Sequence, residues 1–116
     1  MKKMDSTDVI TTYVEFVEGN GRKRRPVVVL KDDGENIYCF RITTQYYSKS
    51  KYFREKYYYP ILNWKQMGLY KQSYIDTYKP YAISKANWNK IYKIGKMDNN
   101  DYIEMVKFAL SHEKEN

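Results

Sequence analysis

A chain of 116 residues, 42% apolar and 30% charged, is sized for one domain whose core needs neither metal nor disulfides to fold. Its single cysteine, Cys39, excludes an intrachain disulfide framework and argues against a cysteine-based zinc site. Lys and Arg number 21 against 14 Asp and Glu, a net charge of +7, and tyrosine occurs 14 times; cations with flat, hydrogen-bonding rings suit a polyanion whose bases stack. The plainer alternative is a soluble protein in which Lys and Tyr are simply common. The longest apolar run, Val27-Val28-Val29-Leu30, is far short of a membrane span. Met1-Lys2-Lys3-Met4-Asp5 lacks the apolar region of a signal peptide, so a cytoplasmic protein with no membrane partner is expected.

In chain order, residues 1–8 are polar and are expected to fray. Ile10 to Val17, with Ile10, Val14 and Phe16 on one face, reads as a strand. Glu18 to Arg24 carries two glycines and three bases and reads as a loop. Pro26 to Leu30 is β-branched and too short for a helix, hence a buried strand. The Asp33-Gly34 turn signal pairs it antiparallel with a strand over Ile37 to Thr44. Residues 46–56 are strongly basic with neither clean period and read as a long loop. Tyr57 to Leu62 is a further strand, at an edge because of Pro60. Asn63 to Gly68 reads as one helical turn, Ser73 to Tyr78 as a strand, Ser84 to Asn89 as a turn and Ile91 to Ile94 as a last strand. Asp98 can cap a helix over 99–112, with Ile103, Val106 and Leu110 and, beside them, Tyr102, Met105 and Ala109 as one apolar face. The sum is a mainly β domain over 1–116, a small, partly open barrel with a C-terminal α-helix.

The usual catalytic machinery is missing. The only histidine, His112, falls at the expected frayed end of the last helix, and no Walker loop, dinucleotide fingerprint or metal-ligand cluster is present. No metal or cofactor is expected. Cys39, inside a strand, reads as core rather than nucleophile. With the hairpin centred on Asp33-Gly34, Arg25 comes within reach of Thr43, and an arginine beside a hydroxyl can grip a phosphate. By geometry alone, the two read more readily as a solvent-facing arginine and a strand-ending threonine.

The run Gly19-x-Gly21 through Arg25-Pro26-Val27-Val28-Val29-Leu30, then Ile42-Thr43-Thr44-Gln45, resembles the MazF/PemK family of toxin endoribonucleases. Ser73-Tyr74-Ile75-Asp76 resembles that family's penultimate strand. Ile94-Gly95-Lys96-Met97 followed by Asp101 to Leu110 resembles its ending. The similarity runs in order over residues 9–110. It implies an SH3-like barrel of the CcdB/PemK type and the toxin of a type II toxin–antitoxin system, dimeric, cutting single-stranded RNA without metal. Carried over residue by residue, Arg25 matches the catalytic arginine and Thr43 the catalytic hydroxyl, with a 2′,3′-cyclic phosphate and a 5′-OH end as products. The first-loop carboxylate of some members falls near Asn20; Glu18 is the nearest replacement as general base. Arg22, Lys23, Arg24, Gln45, Lys49, Lys51, Arg54 and Lys56, interleaved with Tyr47, Tyr52 and Phe53, would supply the RNA groove, the lysines ahead of the rings. An acidic antitoxin would cover it. A homodimer fits the Tyr74, Tyr78 and Tyr81 face, more than one small barrel readily buries. The alternatives are a non-catalytic RNA-binding barrel of the same fold and a gyrase-poison-like toxin.

Overall fold

The computed structural model describes residues 3–15, 22–86 and 91–113; of the side chains within these ranges, those of 13–15, 22, 23 and 113 are not described. Among the described residues six strands form one antiparallel sheet: β1 (Asp8–Glu15), β2 (Arg22–Asp32), β3 (Asn36–Thr43), β4 (Tyr58–Pro60), β5 (Tyr74–Ser84) and β6 (Tyr92–Lys96). Their order is β4-β5-β3-β2-β1-β6. Two helices join them, α1 (Lys51–Tyr57) and α2 (Asn99–Glu113). Neither helix is long and apolar enough to cross a membrane.

β2 lies between β1 and β3, and its apolar run follows from that position. Val28 packs with Val9, Phe40, Ile42 and Ile75 under Met105 and Ala109 of α2. Val27 and Val29 face the other way, with Ile10, Ile37, Cys39 and Ile91. A strand covered on both faces is apolar continuously rather than alternately. Cys39 is fully buried and its thiol is pushed up to about 12 by burial, which suits a core residue. Bulges between Val29 and Lys31, between Cys39 and Arg41, and between Val9 and Ile10 curl the sheet.

The Asp33-Gly34 turn forms as expected. Gly34 adopts a positive φ of 95° and its N–H donates to Asp32 Oδ1 at 2.8 Å. β2 begins at Arg22, so Arg22 to Arg24, expected in the loop, are strand. Residues 3–8 are held rather than frayed: Met4 N donates to Asp32 Oδ2 at 2.8 Å, Thr7 N donates to Val29 O at 3.1 Å, and Met4 packs on the Cys39 side of the sheet.

The expected loop over 46–56 is a 3-10 turn at Tyr46–Ser48 followed by α1. Ser50 caps α1, its Oγ accepting from Phe53 N at 3.2 Å. Pro60 does lie in an edge strand, β4. The turn at Asn63 to Gly68 is present, with Met67 N donating to Asn63 O at 3.3 Å. Gly68 (φ 82°) and Gly95 of β6 approach so closely that a Cβ on either would collide with the backbone carbonyl of Met67 or Ile94 opposite. Residues 87–90 of the expected Ser84–Asn89 turn lie outside the described residues.

Asp98 caps α2 as expected, its Oδ2 accepting from Asn100 N at 3.0 Å and Asp101 N at 3.2 Å. The buried face of the helix differs from the expected one. Ile103 and Leu110 are 50% and 49% exposed, whereas Asp101, Met105, Ala109 and His112 are buried. Asp101 accepts a short hydrogen bond from the Tyr59 hydroxyl. His112 is not at a frayed end: its Nε2 lies 3.0 Å from Thr77 O and 3.2 Å from Thr77 Oγ1, with the Tyr57 ring edge-on to it.

Candidate active site

Side chains of directly opposed residues share a face of a sheet, and so do residues two apart on one strand. One row across the sheet is therefore Ile10, Val27, Arg41, Asp76 and Tyr58, from the pairings Ile10↔Val27, Val27↔Arg41, Arg41↔Asp76 and Tyr58↔Asp76. The next row on that face holds Thr12 opposite Arg25, and Thr43 opposite Tyr74. The β2–β3 ladder ends at Val27↔Arg41; its register carried on by two residues sets Arg25 opposite Thr43. Arg25 is half-buried, its Nε shielded from solvent. Thr43 closes β3, and its Oγ1 accepts from Gln45 N at 3.0 Å. With one lone pair so occupied, the hydroxyl hydrogen can be donated toward an oxyanion.

Arg24 points away from this group. Strand alternation sends it to the opposite face, where Nη1 donates to Thr11 Oγ1 at 3.0 Å and the guanidinium sits 4.5 Å over the Tyr92 ring. Gln45 is exposed and begins the turn that leads to α1. Glu18 lies outside the described residues, and the side chains of Arg22 and Lys23 are not described.

The basic segment is ordered on its own rings. Tyr46 stacks on Tyr74, centroids 4.3 Å apart, and so adjoins the residue opposite Thr43. Arg54 lies over Tyr46 at 4.8 Å and over Tyr47 at 4.7 Å. Lys49 sits over Phe53 at 5.4 Å, and Lys56 over Tyr52 at 5.4 Å, donating to its hydroxyl at 3.1 Å. Lys51 makes only a solvent-exposed pair with Glu55 at 3.9 Å. The rings of this segment are not alike. Phe53 packs against Tyr57, Tyr58 and Tyr78, while Tyr47 is 84% exposed and Tyr52 70%. Exposed flat rings with cations above them are parts on which a base can stack.

Arg41 and Asp76 were singled out by no motif of chemistry. Arg41 Nη2 donates to Asp76 Oδ2 at 3.1 Å, with both side chains largely covered. The other carboxylate oxygen, Oδ1, accepts from Tyr78 N at 3.0 Å. Tyr58 completes the group; burial, and then the Asp76 carboxylate, raise its phenol above the ordinary tyrosine value, while Arg41 acts in the opposite sense. The one signal in the sequence is an arginine inside an apolar strand, two residues before Thr43 and so on the same face.

No family model and no curated protein matches the chain. Among solved structures, it is similar to the MazF chain of the MazE–MazF crystal structure (form III) from Deinococcus radiodurans, with a TM-score of 0.66 over 96% of each chain at 11% sequence identity. The fold is MazF-like: a mainly β, six-stranded antiparallel open sheet with a C-terminal helix.

Proposed function

We propose, proceeding from this MazF-like fold, that the chain is the toxin of a type II toxin–antitoxin system and a metal-independent endoribonuclease acting on single-stranded RNA. The observation that carries the reading is the common sheet face of Arg25 and Thr43, next to an aromatic, cationic surface, on a fold shared end to end with MazF. In the reaction, a ribose 2′-OH attacks the adjacent phosphorus and the P–O5′ bond breaks, leaving a 2′,3′-cyclic phosphate and a 5′-OH. Arg25 neutralises the charge that develops on the equatorial phosphoryl oxygens, and Thr43 donates a further hydrogen bond to one of them. Glu18 is the proposed acceptor of the 2′-OH proton, and the departing O5′ takes its proton from the Arg25 guanidinium, which water then reprotonates.

Gln45, Lys49, Lys51, Arg54 and Lys56, with Arg22 and Lys23 from the start of β2, supply the cationic track for the strand; Arg24, on the far face, adds to affinity only. The active form is a homodimer, and an acidic antitoxin segment lies across the same track. That contact weakens with salt, because exposed charge pairs are screened within about 10 Å at 0.1 M. In support, the neighbour is a complex of MazF with MazE.

The test is incubation of the full chain with mixed RNA in EDTA, with end mapping. Discrete cuts bearing 5′-OH ends are expected. Intact RNA that is nonetheless tightly bound would establish the second reading, a non-catalytic RNA-binding barrel.

A further inference from the structure

Arg41 is tied down at one end. An arginine offers five N–H donors in a planar fork. In this one, Nη2 donates to Asp76, and Nε is buried with no hydrogen-bond partner among the described residues. A buried donor left unmatched costs more than the hydrogen bond it would make, so such atoms are few and call for a reason. Asp76 has both oxygens engaged, Oδ2 by Arg41 and Oδ1 by Tyr78 N. Tyr58, opposite Asp76, and Tyr74, opposite Thr43, lie on the same face, and their rings pack with that of Tyr46.

The position of the group matters as much as its unmatched edge. Arg41 precedes Thr43 by two residues, on its face, and is opposite Val27, two residues from Arg25. Diagonal neighbours of this kind have Cα atoms roughly 7–8 Å apart, within the span of two arginine side chains reaching toward one strand of nucleic acid. Asp76 sets the guanidinium's orientation while removing only part of its donor capacity.

We propose that Arg41 holds a phosphate of the RNA flanking the one that Arg25 and Thr43 engage, with Asp76 as the residue that positions it; the inference rests on the endoribonuclease reading above. Arg41 is thus a binding residue. It fixes the register of the strand so that one particular phosphate meets Arg25, and its loss acts on affinity and on the choice of phosphate more than on the bond-breaking step.

Arg41→Gln alone would strand a buried carboxylate, so the informative variant is Arg41→Gln with Asp76→Asn, which removes both charges together. The probe is a single-stranded RNA oligonucleotide carrying the mapped cleavage site, with a 2′-deoxyribose at the cut so that binding is read without turnover. Relative to the unaltered protein, the double variant is expected to bind about tenfold or more weakly. Its plot of log affinity against log salt is expected to be shallower by about 0.7, the contribution of one phosphate on a single strand. In turnover with the all-ribose substrate the loss appears more in KM than in kcat. A neutral methylphosphonate at the flanking position should weaken binding to the unaltered protein and leave the double variant nearly indifferent. Asp76→Asn alone keeps the arginine and should keep the salt slope. An unchanged slope in the double variant, or an equal methylphosphonate penalty in both proteins, would reduce Arg41–Asp76 to a structural ion pair while leaving the nuclease reading intact. If the unaltered protein neither binds nor cuts RNA, both fall.

Discussion

Among the described residues, two Asp–cation pairs are covered on both sides, each spanning distant parts of the chain, and they differ in what surrounds them. Near the β2–β3 turn, Lys85 Nζ meets Asp32 Oδ2 at 2.7 Å, with side chains 5% and 0% exposed. The same carboxylate accepts from Met4 N and Gly34 N, each at 2.8 Å. At the opposite end of the sheet, Arg41 and Asp76 meet at 3.1 Å with the arginine side chain 24% exposed and its Nε unmatched. The first pair closes on itself and ties the N-terminal segment, the turn and the end of β5 together. The second lies on the sheet face that carries Arg25 and Thr43, and its arginine is matched only in part. A pair satisfied by the protein serves the fold; one satisfied in part has capacity left for a ligand.

The largest effect should come from opening the closed pair. Lys85→Met leaves the Asp32 carboxylate buried without its ammonium, and about 3–5 kcal/mol of stability should be lost, read as a lower urea midpoint at unchanged slope. At the open end the loss should be of rate. Arg25→Lys is expected to reduce RNA cleavage on the order of 100- to 1000-fold, about 3–4 kcal/mol of transition-state stabilisation, with an unaltered melting temperature. Thr43→Val should cost less, since one hydroxyl is removed at a strand end. Wild-type rates in both variants would move the site elsewhere.

Acid separates the two ends more gently. Burial alone would raise the Asp32 carboxyl, but the Lys85 ammonium and the Met4 and Gly34 N–H groups outweigh it and hold the group down at about 2, against an ordinary 3.8. A carboxyl lowered by folding adds stability above its unfolded value and loses it as the folded group protonates. Thermal melts should therefore drop as pH falls from about 4 to about 2, by at most about 2 kcal/mol from this group. Lys85→Met should flatten that part of the profile. The smallest effect belongs to Arg24→Lys, whose guanidinium is engaged by Thr11 and Tyr92 on the other face. Single-turnover cleavage should stay within a few-fold of the parent while RNA affinity shifts modestly with salt. A total loss of cleavage there, with Arg25→Lys unaffected, would place the strand register one residue off.

What could be read from residues alone followed distance along the chain. The turn at Asp33-Gly34 is local, and it sets the pairing that carries Arg25 toward Thr43. The Val27-Val28-Val29 run declared a strand covered on both sides. α1 was illegible because its apolar contacts are the Phe53 and Tyr57 rings packed on Tyr58 and Tyr78, and no periodicity within 46–56 encodes those partners. On α2 the apolar stripe misled. The buried face includes Asp101 and His112, polar residues tolerated there because Tyr59 and Thr77 meet them, 42 and 35 positions away. The Arg41–Asp76 pair was missed for the same reason, with 35 positions between its members.

Gly68 and Gly95 face each other across the contact between the segment after β4 and β6, and each would clash through main-chain carbonyls rather than side chains. Every amino acid carries that carbonyl. No replacement at one position can therefore make room for a larger residue at the other, and exchanges at both should compound rather than compensate. Over generations of drift the two sites have no neutral corridor between them, since any departure at either must move a whole stretch of backbone.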